Sequence, residues 1–479
     1  MLNQVYFDTE TTGLQTKYSN IVSIYMELVN DTFDRLDSYE SFCSLRPGVL
    51  PEVGAMLATK IKPSFLQKQN KSHFIMVKEI YKKIQQWTPS IYTSFNGINY
   101  DHELLRSAFY QNLLPVYAEQ FSGNLRHDVL NTVRATAVFE PGKINYPLNE
   151  KKLPYFKLRD LCDANGIANK GAAHAASVDV ADLIALSKLI SEKCPITWKS
   201  SLITLDKNKV EEIIKKETFC TFEAWYGKVV GFTVSWVLTH PEFKGYEICW
   251  DLKNDPDELL GILDDTESLK EVFNSSPKKF RTVRTNKSPL LLNKSYALKI
   301  DTYKTIGMQK LEERAKKIAE IREKLASRLS IIISDSVKEK QDIDDQLEVT
   351  PEEAIYSGGF ANEKDKKLME NFHDVEDWNS RVNFIGKFDN PHYSFFAARI
   401  IYEESPASLP KDIYNQIHRL IAQRLFSEEK QKFQTLKEVE FELDQKYAKA
   451  EESENKEDFE ILKEIDSYTQ QVRKNYEVA

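Results

Sequence analysis

Asp8 and Glu10 stand two residues apart at the end of the apolar run Val5-Tyr6-Phe7, within Val5-Tyr6-Phe7-Asp8-Thr9-Glu10-Thr11-Thr12-Gly13-Leu14. Read as a buried strand, residues i and i+2 face the same side. The two carboxylates then project together, about 7 Å apart along the chain at a rise of roughly 3.3 Å per residue. Like charges repel, and burying either is unfavourable. A divalent cation between them relieves both effects, and a hard cation such as Mg2+ takes oxygen ligands. The plainer alternative is an Asp–Glu pair at a strand end, with Gly13 making a turn. Two further segments carry similar residues. In Phe95-Asn96-Gly97-Ile98-Asn99-Tyr100-Asp101 a strand ends, a loop turns and Asp101 opens a helix. Taken alone, Asp101 reads as an N-cap. In Ala173-His174-Ala175-Ala176-Ser177-Val178-Asp179, His174 and Asp179 can face one cavity if His174 is still in the loop and Asp179 lies in the first turns of a helix. His102 is a rival to His174, but consecutive helical residues point about 100° apart, so it should face away from Asp101. His127, in Arg126-His127-Asp128 at another helix start, reads as structural.

The elements that must position these residues form an α/β pattern over 1–194. Strands are expected at 20–29, 39–45 and 91–95. Helices are expected at 73–87, with Phe74, Val77, Ile80, Ile84 and Trp87 on one stripe, and at 101–110, 128–138 and 175–193. From 195 to 345 the chain turns β-rich, with strands expected at 220–225, 229–238, 246–252 and 280–285 and a closing helix over 308–329. The polar run Val337 to Leu347 resembles a linker. Thr350-Pro351-Glu352-Glu353 reads as a helix start with a capping box. From there to Ala479 the pattern is almost all helical, and the charge-rich stretch from Ser427 on reads as long solvated helices.

The 479 residues exceed what one core organises, so two or three domains are expected. The net charge of −8, from 65 Lys+Arg and 73 Asp+Glu, neither announces nor excludes a nucleic-acid binder, because binding depends on local patches. The start of the chain has neither a basic n-region nor an apolar h-region, and no apolar run reaches the roughly 18 residues of a membrane span. A cytoplasmic location and no membrane partner are expected. Five scattered cysteines, with no CxxC pair, speak against a disulfide framework or zinc site and fit small buried hydrophobes.

In chain order, Asp8, Glu10, Asp101, His174 and Asp179 resemble the DEDDh 3′→5′ exonucleases of the ribonuclease H-like superfamily. The downstream sequence is similar to the bacterial exonuclease I family over nearly the full length. The similarity runs through Pro141-Gly142-Lys143-Ile144-Asn145-Tyr146-Pro147, Leu153-Pro154-Tyr155-Phe156-Lys157-Leu158, Ala164-Asn165-Gly166-Ile167, Ala224-Trp225, His240-Pro241, Asn286-Lys287-Ser288-Pro289-Leu290 and Tyr356-Ser357-Gly358-Gly359-Phe360. It implies a ribonuclease H-like exonuclease domain (1–194, a mixed sheet flanked by helices), an SH3-like β domain (195–345) and an all-α C-terminal domain (346–479). The last two would embrace the strand that leads to the active site.

The activity it implies is 3′-to-5′ degradation of single-stranded DNA by two-metal hydrolysis, releasing 5′-mononucleotides, with a role in DNA repair and recombination. Asp8, Glu10, Asp101 and Asp179 would hold two Mg2+ ions, for which Mn2+ substitutes, and Asp8 would bridge them. Two metals lower the pKa of a bound water and stabilise both oxygens of the displacement. His174, with a reference pKa near 6.5, would be the general base. Thr11, Thr12 and Gly13 would meet the terminal nucleotide, where Gly permits close backbone approach. Lys60, Asn96, Asn99 and Lys157 would add nucleic-acid contacts. In Lys278-Lys279-Phe280-Arg281-Thr282-Val283-Arg284 and Lys287, the candidates Lys279, Arg281, Arg284 and Lys287 combine cations with aromatics, as suits a backbone-following groove. A solvated edge strand carries Lys as well. The partners implied are single-stranded DNA and single-stranded DNA-binding protein, and the chain is expected to act as a monomer.

Three departures stand out. Ala175 replaces the acidic residue that usually follows the catalytic His. The loop Thr59-Lys60-Ile61-Lys62-Pro63 carries lysines where the family reads Thr-Gly-Ile-Thr-Pro. Glu140 falls in a stretch that is more basic in the family, which puts a carry-over of the accessory-protein surface in doubt. Alternatives are an exoribonuclease of the same catalytic group, told apart by the 2′-OH, and a single-stranded nucleic-acid binding module with a vestigial site. A haloacid dehalogenase-type phosphatase also begins Phe-Asp at a strand end, but its second carboxylate is usually Asp where this chain has Glu10.

Overall fold

Val5, Tyr6 and Phe7 are fully buried, and this apolar run is the middle of the first strand, β1 (Asn3–Thr11). In the computed structural model, which describes residues 2–171, 175–216, 218–225, 228–344, 349–452 and 454–477, β1 is the central strand of a mixed sheet. The other strands are β2 (Ile21–Val29), β3 (Arg35–Phe42), β4 (Ser90–Ser94) and β5 (Leu125–Asp128), in the order β3-β2-β1-β4-β5. β1 runs antiparallel to β2 and parallel to β4. Its pairing with β2 slips between Glu10 and Thr11. Such an irregularity bends a strand and ends regular pairing, and here it falls at the carboxylate pair.

The helix His73–Gln86 lays Val77, Ile80 and Ile84 on this sheet, as its 3.6-residue stripe predicts, and Ser72 caps it by accepting from the Ile75 N–H. Asp101–Gln111 covers the sheet with Leu104, Leu105 and Phe109. The predicted strands and helices of this first part are all present, with ends shifted by a few residues; the third strand starts at Arg35 rather than Tyr39.

By contacts the chain divides into two compact units. One comprises 1–124, 170–181 and 349–479, and the other 125–169 and 182–348. In the first unit, residues from 349 onward form a helical layer whose core includes Phe372, Phe396, Ile401, Leu462 and Ile465, joined by Val53, Met56 and Phe74 from the N-terminal part. A buried ion pair ties the same two segments together: Arg46 Nε donates to Glu403 at 2.9 Å, and Arg46 Nη1 donates to Gln111 at 2.8 Å. A buried pair of this kind is held by geometry and extra hydrogen bonds more than by net Coulomb gain.

The second unit holds an antiparallel sheet of β6 (Thr218–Trp225), β7 (Lys228–Thr239), β8 (Tyr246–Asp251), β9 (Phe280–Arg284) and β10 (Leu292–Asn293), ordered β10-β6-β7-β8-β9. The helix Met308–Asp344 buries Leu311, Ile318, Leu325 and Ile332, seven residues apart, against its core.

Three expectations are corrected. The polar run that begins at Val337 continues the helix to Asp344 rather than forming a linker, and its last residues, to Leu347, lie outside the described ones; Lys, Glu and Gln are good helix formers, so a solvated helix and a charged linker share a composition. Thr350 and Glu353 do pair, with Glu353 Oε2 accepting from Thr350 N at 3.3 Å and Oγ1 at 3.2 Å, but they open only the short turn Glu353–Ile355. The helix Lys456–Tyr476 is no free solvated rod, because it buries Ile461, Leu462, Ile465, Tyr468 and Val472.

That last correction is testable. Ile465 is fully buried, so Ile465→Ala should destabilise the protein by about 2–5 kcal/mol in urea unfolding. A change within about 0.5 kcal/mol, as on a surface, would return the helix to solvent.

Candidate active site

The carboxylates sit where β1 ends and the following loop is pinned. Thr12 N donates to Asn20 O and Asn20 N to Thr12 Oγ1, both at 2.9 Å. The Tyr100 hydroxyl donates to Gly13 O at 2.8 Å and lies 2.6 Å from Thr11 Oγ1. Tyr100 precedes Asp101, so one side chain binds the loop after Glu10 to the start of the next acidic element. Asp101 is the first residue of its helix, and Tyr100 occupies the cap position that the sequence assigned to Asp101. Asn96 turns the chain with φ +62°, which Asn tolerates. A Cβ on Gly97 would lie 2.2 Å from Ser94 Oγ and 2.9 Å from Asp101 Oδ2. Glycine is required there by this close approach.

Ligand oxygens of Asp8, Glu10 and Asp179 lie within 4.8 Å of one another. Asp179 reaches them from the first turn of the helix Ala176–Lys193, whose opening N–H groups at Val178 and Asp179 donate to Ala175 O. Asp101 stands beside this triad. Its Oδ1 accepts from Thr9 Oγ1 at 2.6 Å, and its charge acts on both Asp8 and Glu10. Burial, followed by Asp101, Glu10 and Asp179, holds the Asp8 carboxyl well above its usual range. Burial, followed by Asp179 and Asp101, pushes Glu10 up to about 8. Glu10 Oε1 is buried with no hydrogen-bond partner. An all-oxygen set with an orphaned buried acceptor and raised pKa values at Asp8 and Glu10 fits a hard divalent cation.

Of the histidines, His174 lies outside the described residues. His102 is fully buried and meets Phe7 edge-on at 5.0 Å, which fits its expected orientation away from the site. His127 is buried, with Nε2 3.0 Å from Thr132 Oγ1 and its ring against Trp198, and burial lowers its pKa to about 3. Its environment is that of a core histidine.

Thr11, Thr12, Gly13, Asn96 and Asn99 all flank the carboxylates in the chain ends of β1 and β4. The close approach seen at Gly13 is that of Glu52, whose Oε1 accepts the Leu14 N–H at 2.9 Å. Lys60 ends the helix Val53–Thr59 and pairs with Asp458. In the second unit, Lys157 is exposed, Lys279 pairs with Glu258, and Arg284 is exposed with its guanidinium 4.9 Å from the Tyr246 ring centre. Lys287 ends a short 3-10 turn. Arg281 is buried, donating to Glu223 at 3.0 Å and lying 3.8 Å from the centre of the Phe232 ring. β9, which carries Arg281 and Arg284, is an edge strand, where exposed cations also guard against aggregation. Sequence reasoning missed Thr9, Glu52 and Tyr100. Only Tyr100 carried a signal, its place beside Asp101.

Comparison with known proteins joins the two ends of the chain. Residues 349–472 match the Exonuclease I C-terminal domain family. Exodeoxyribonuclease I of Buchnera aphidicola subsp. Acyrthosiphon pisum is 28% identical over 384 residues, which is 77% of this chain and 89% of that protein. The crystal structure of E. coli exonuclease I in complex with a dA16 oligonucleotide superposes with a TM-score of 0.80 at 20% identity, covering 98% of this chain and 100% of that one. A structure of SSB/exonuclease I in complex with an inhibitor matches at 0.79 and 20% identity, covering 98% and 100%. The mixed sheet with its acidic edge, the antiparallel sheet and the helical region are therefore one shared fold. In sequence the chain is similar to exodeoxyribonuclease I proteins, its residues 349–472 match the Exonuclease I C-terminal domain, and its fold is that of the exonuclease I structures.

The raised carboxyls give a pH signature. A carboxyl whose pKa rises from 4.5 unfolded to about 8 folded favours folding below 4.5, and that contribution is lost as pH rises through 8. In EDTA the melting temperature should fall by several degrees between pH 5 and 8.5. Mg2+ should restore it at pH 8.5 far more than at pH 5, and Glu10→Gln should flatten both trends. A melting temperature that Mg2+ leaves unmoved at pH 8.5 would sink the metal assignment.

Proposed function

We propose that this chain degrades single-stranded DNA from the 3′ end, releasing 5′-mononucleotides. By homology it is a hydrolase of the exodeoxyribonuclease I type. The observation that carries the reading is the convergence of Asp8, Glu10 and Asp179, with Asp101 at their side, at the edge of a fold shared with a DNA-bound exonuclease I.

Asp8, Glu10, Asp101 and Asp179 would hold two Mg2+ ions. When bound, the metals lower the pKa of a water and stabilise developing charge on phosphate oxygens. His174 takes the proton of the attacking water as its oxygen bonds to phosphorus, and the bond to the 3′ oxygen of the preceding nucleotide breaks, that oxygen leaving as a 3′ hydroxyl with a proton from solvent. Thr11, Thr12 and Gly13 line the place of the terminal nucleotide, with Asn96 and Asn99 opposite. Lys60, Lys157, Lys279, Arg284 and Lys287 follow the strand further out. Arg281 contributes through its place against Phe232 and Glu223 more than as a free cation. The division into a ribonuclease H-like exonuclease domain (1–194), an SH3-like domain (195–345) and a helical domain (346–479) belongs to the same reading. So do cytoplasmic action as a monomer, a role in DNA repair and recombination, and engagement of a single-stranded DNA-binding protein, which an exonuclease I structure with SSB supports. Among the described residues no helix is long and apolar enough to cross a membrane.

The test uses single-stranded DNA labelled at either end, with Mg2+ or EDTA. The expected result is Mg2+-dependent mononucleotide from the 3′ label and a progressively shortening 5′-labelled strand. Matched RNA should be cut more slowly; a faster rate on RNA would replace the substrate. Asp8→Asn should abolish hydrolysis while gel-shift binding persists. His174→Ala should lower kcat by about 100-fold or more at unchanged melting temperature, the scale of general-base catalysis. An unfolded His174→Ala variant would make that histidine structural.

A further inference from the structure

Opposite the Tyr100 hydroxyl, one carboxylate holds the turn that follows Glu10. Glu52 Oε1 accepts the Leu14 N–H at 2.9 Å, and the Glu52 N–H donates to Thr12 O at 2.7 Å. Both sides of the Thr12–Leu14 turn are thus bound to the same residue. Gly13 lies between, and a Cβ there would stand 2.3 Å from Glu52 Oε1 and 2.5 Å from its carboxyl carbon. Substituting any larger residue would expel the carboxylate or displace the turn.

Glu52 is itself anchored. The next two N–H groups of the chain, at Val53 and Gly54, donate to the Glu442 carboxylate at 3.1 and 3.0 Å. Glu442 lies on the helix Leu436–Glu452, nearly four hundred residues away in sequence and in the same compact unit. A continuous path of hydrogen bonds and chain therefore runs from the helical region through Glu442, Val53 and Glu52 to the backbone four residues past Glu10. The arrangement carries a local electrostatic penalty. Glu52 is half-buried with Glu442 and Glu438 nearby, and burial is the chief reason its carboxyl is raised above its usual pKa. A charged acceptor makes the stronger bond to a backbone N–H, and the fold keeps it despite those acidic neighbours.

We propose that Glu52 is a positioning residue for the 3′-terminal nucleotide: it sets the Thr12–Leu14 turn against the carboxylate cluster, and Glu442 ties that setting to the helical region. The proposal rests on the exonuclease reading above. It gives the packing of the helical layer on the N-terminal segment a further consequence, since the turn beside the carboxylates is braced from that layer.

The test compares Glu52→Ala, Glu52→Gln and Glu442→Ala in the full chain, on a single-stranded oligothymidylate with Mg2+. Glu52→Ala should raise KM about tenfold with kcat changed less than about threefold, the scale of one charge-assisted hydrogen bond. Glu52→Gln, which keeps an acceptor, should recover most of that loss. Glu442→Ala should raise KM by a smaller factor. A readout without substrate is hydrogen exchange at the Leu14 amide, expected to quicken about tenfold in Glu52→Ala and little in Glu52→Gln. Unchanged KM in Glu52→Ala, or a Glu52→Gln defect as large as that of Glu52→Ala, overturns the positioning role. Unchanged KM in Glu442→Ala overturns the tie to the helical region. Should Glu52→Ala lose its cooperative unfolding transition, Glu52→Asp, which withdraws the carboxylate by one methylene, carries the same comparison. A wild-type protein that hydrolyses no oligomer fails before any substitution is made, and so marks failure of the exonuclease reading rather than of the clamp.

Discussion

The mutual repulsion of buried carboxylates at the end of β1 is the constraint around which the first unit is organised. Asp8 and Glu10 arrive together because a strand repeats every two residues, and Asp179 and Asp101 come to them from two helix starts. Nothing in that gathering favours folding by itself. Burial and the neighbouring carboxylates raise the pKa values of Asp8 and Glu10, and Glu10 keeps a buried oxygen without a hydrogen bond. The surrounding structure must therefore supply the stability that the site withholds, and a cation bound there would relieve the repulsion.

That supply is visible in how the site is walled. The fully buried Val5, Tyr6 and Phe7 hold β1 in the middle of its sheet. Tyr100 and Glu52 fasten the turn beyond Glu10 from two directions. The helical region contributes Glu442 to one fastening and Glu403 to a buried pair with Arg46. Residues far apart in sequence thereby fix the backbone that follows the carboxylate pair. The same logic explains Gly13 and Gly97, each of which lets a carboxylate come closer than a side chain would allow.

The second unit contributes charge and surface rather than the acidic cluster. Its cations on β9 divide into two kinds. Arg281 is spent inside the unit on Glu223, Asp251 and Phe232, while Arg284 keeps an exposed guanidinium over Tyr246. A basic stretch in a sequence thus overstates the charge available to a nucleic-acid backbone, because strand alternation turns every second residue inward.

The sequence alone determined the acidic residues, their order and the elements that carry them. Local spacing reports strand and helix directly, and the stripe Phe74, Val77, Ile80 and Ile84 lies where its period puts it. The carboxylates Asp8, Glu10, Asp101 and Asp179 were legible for the same reason, since each lies at an element end. Tertiary structure alone decided what depends on distant partners. Charged composition does not distinguish a linker from the end of Met308–Asp344, nor a solvated helix from Lys456–Tyr476, whose apolar face is buried by packing that no local pattern encodes. Glu52, Glu442 and Thr9 carry no motif; their roles arise because folding brings a carboxylate within hydrogen-bond reach of a backbone amide or a hydroxyl within reach of Asp101. Spacing along a chain reveals which residues share a face, and only the closed fold reveals which faces meet.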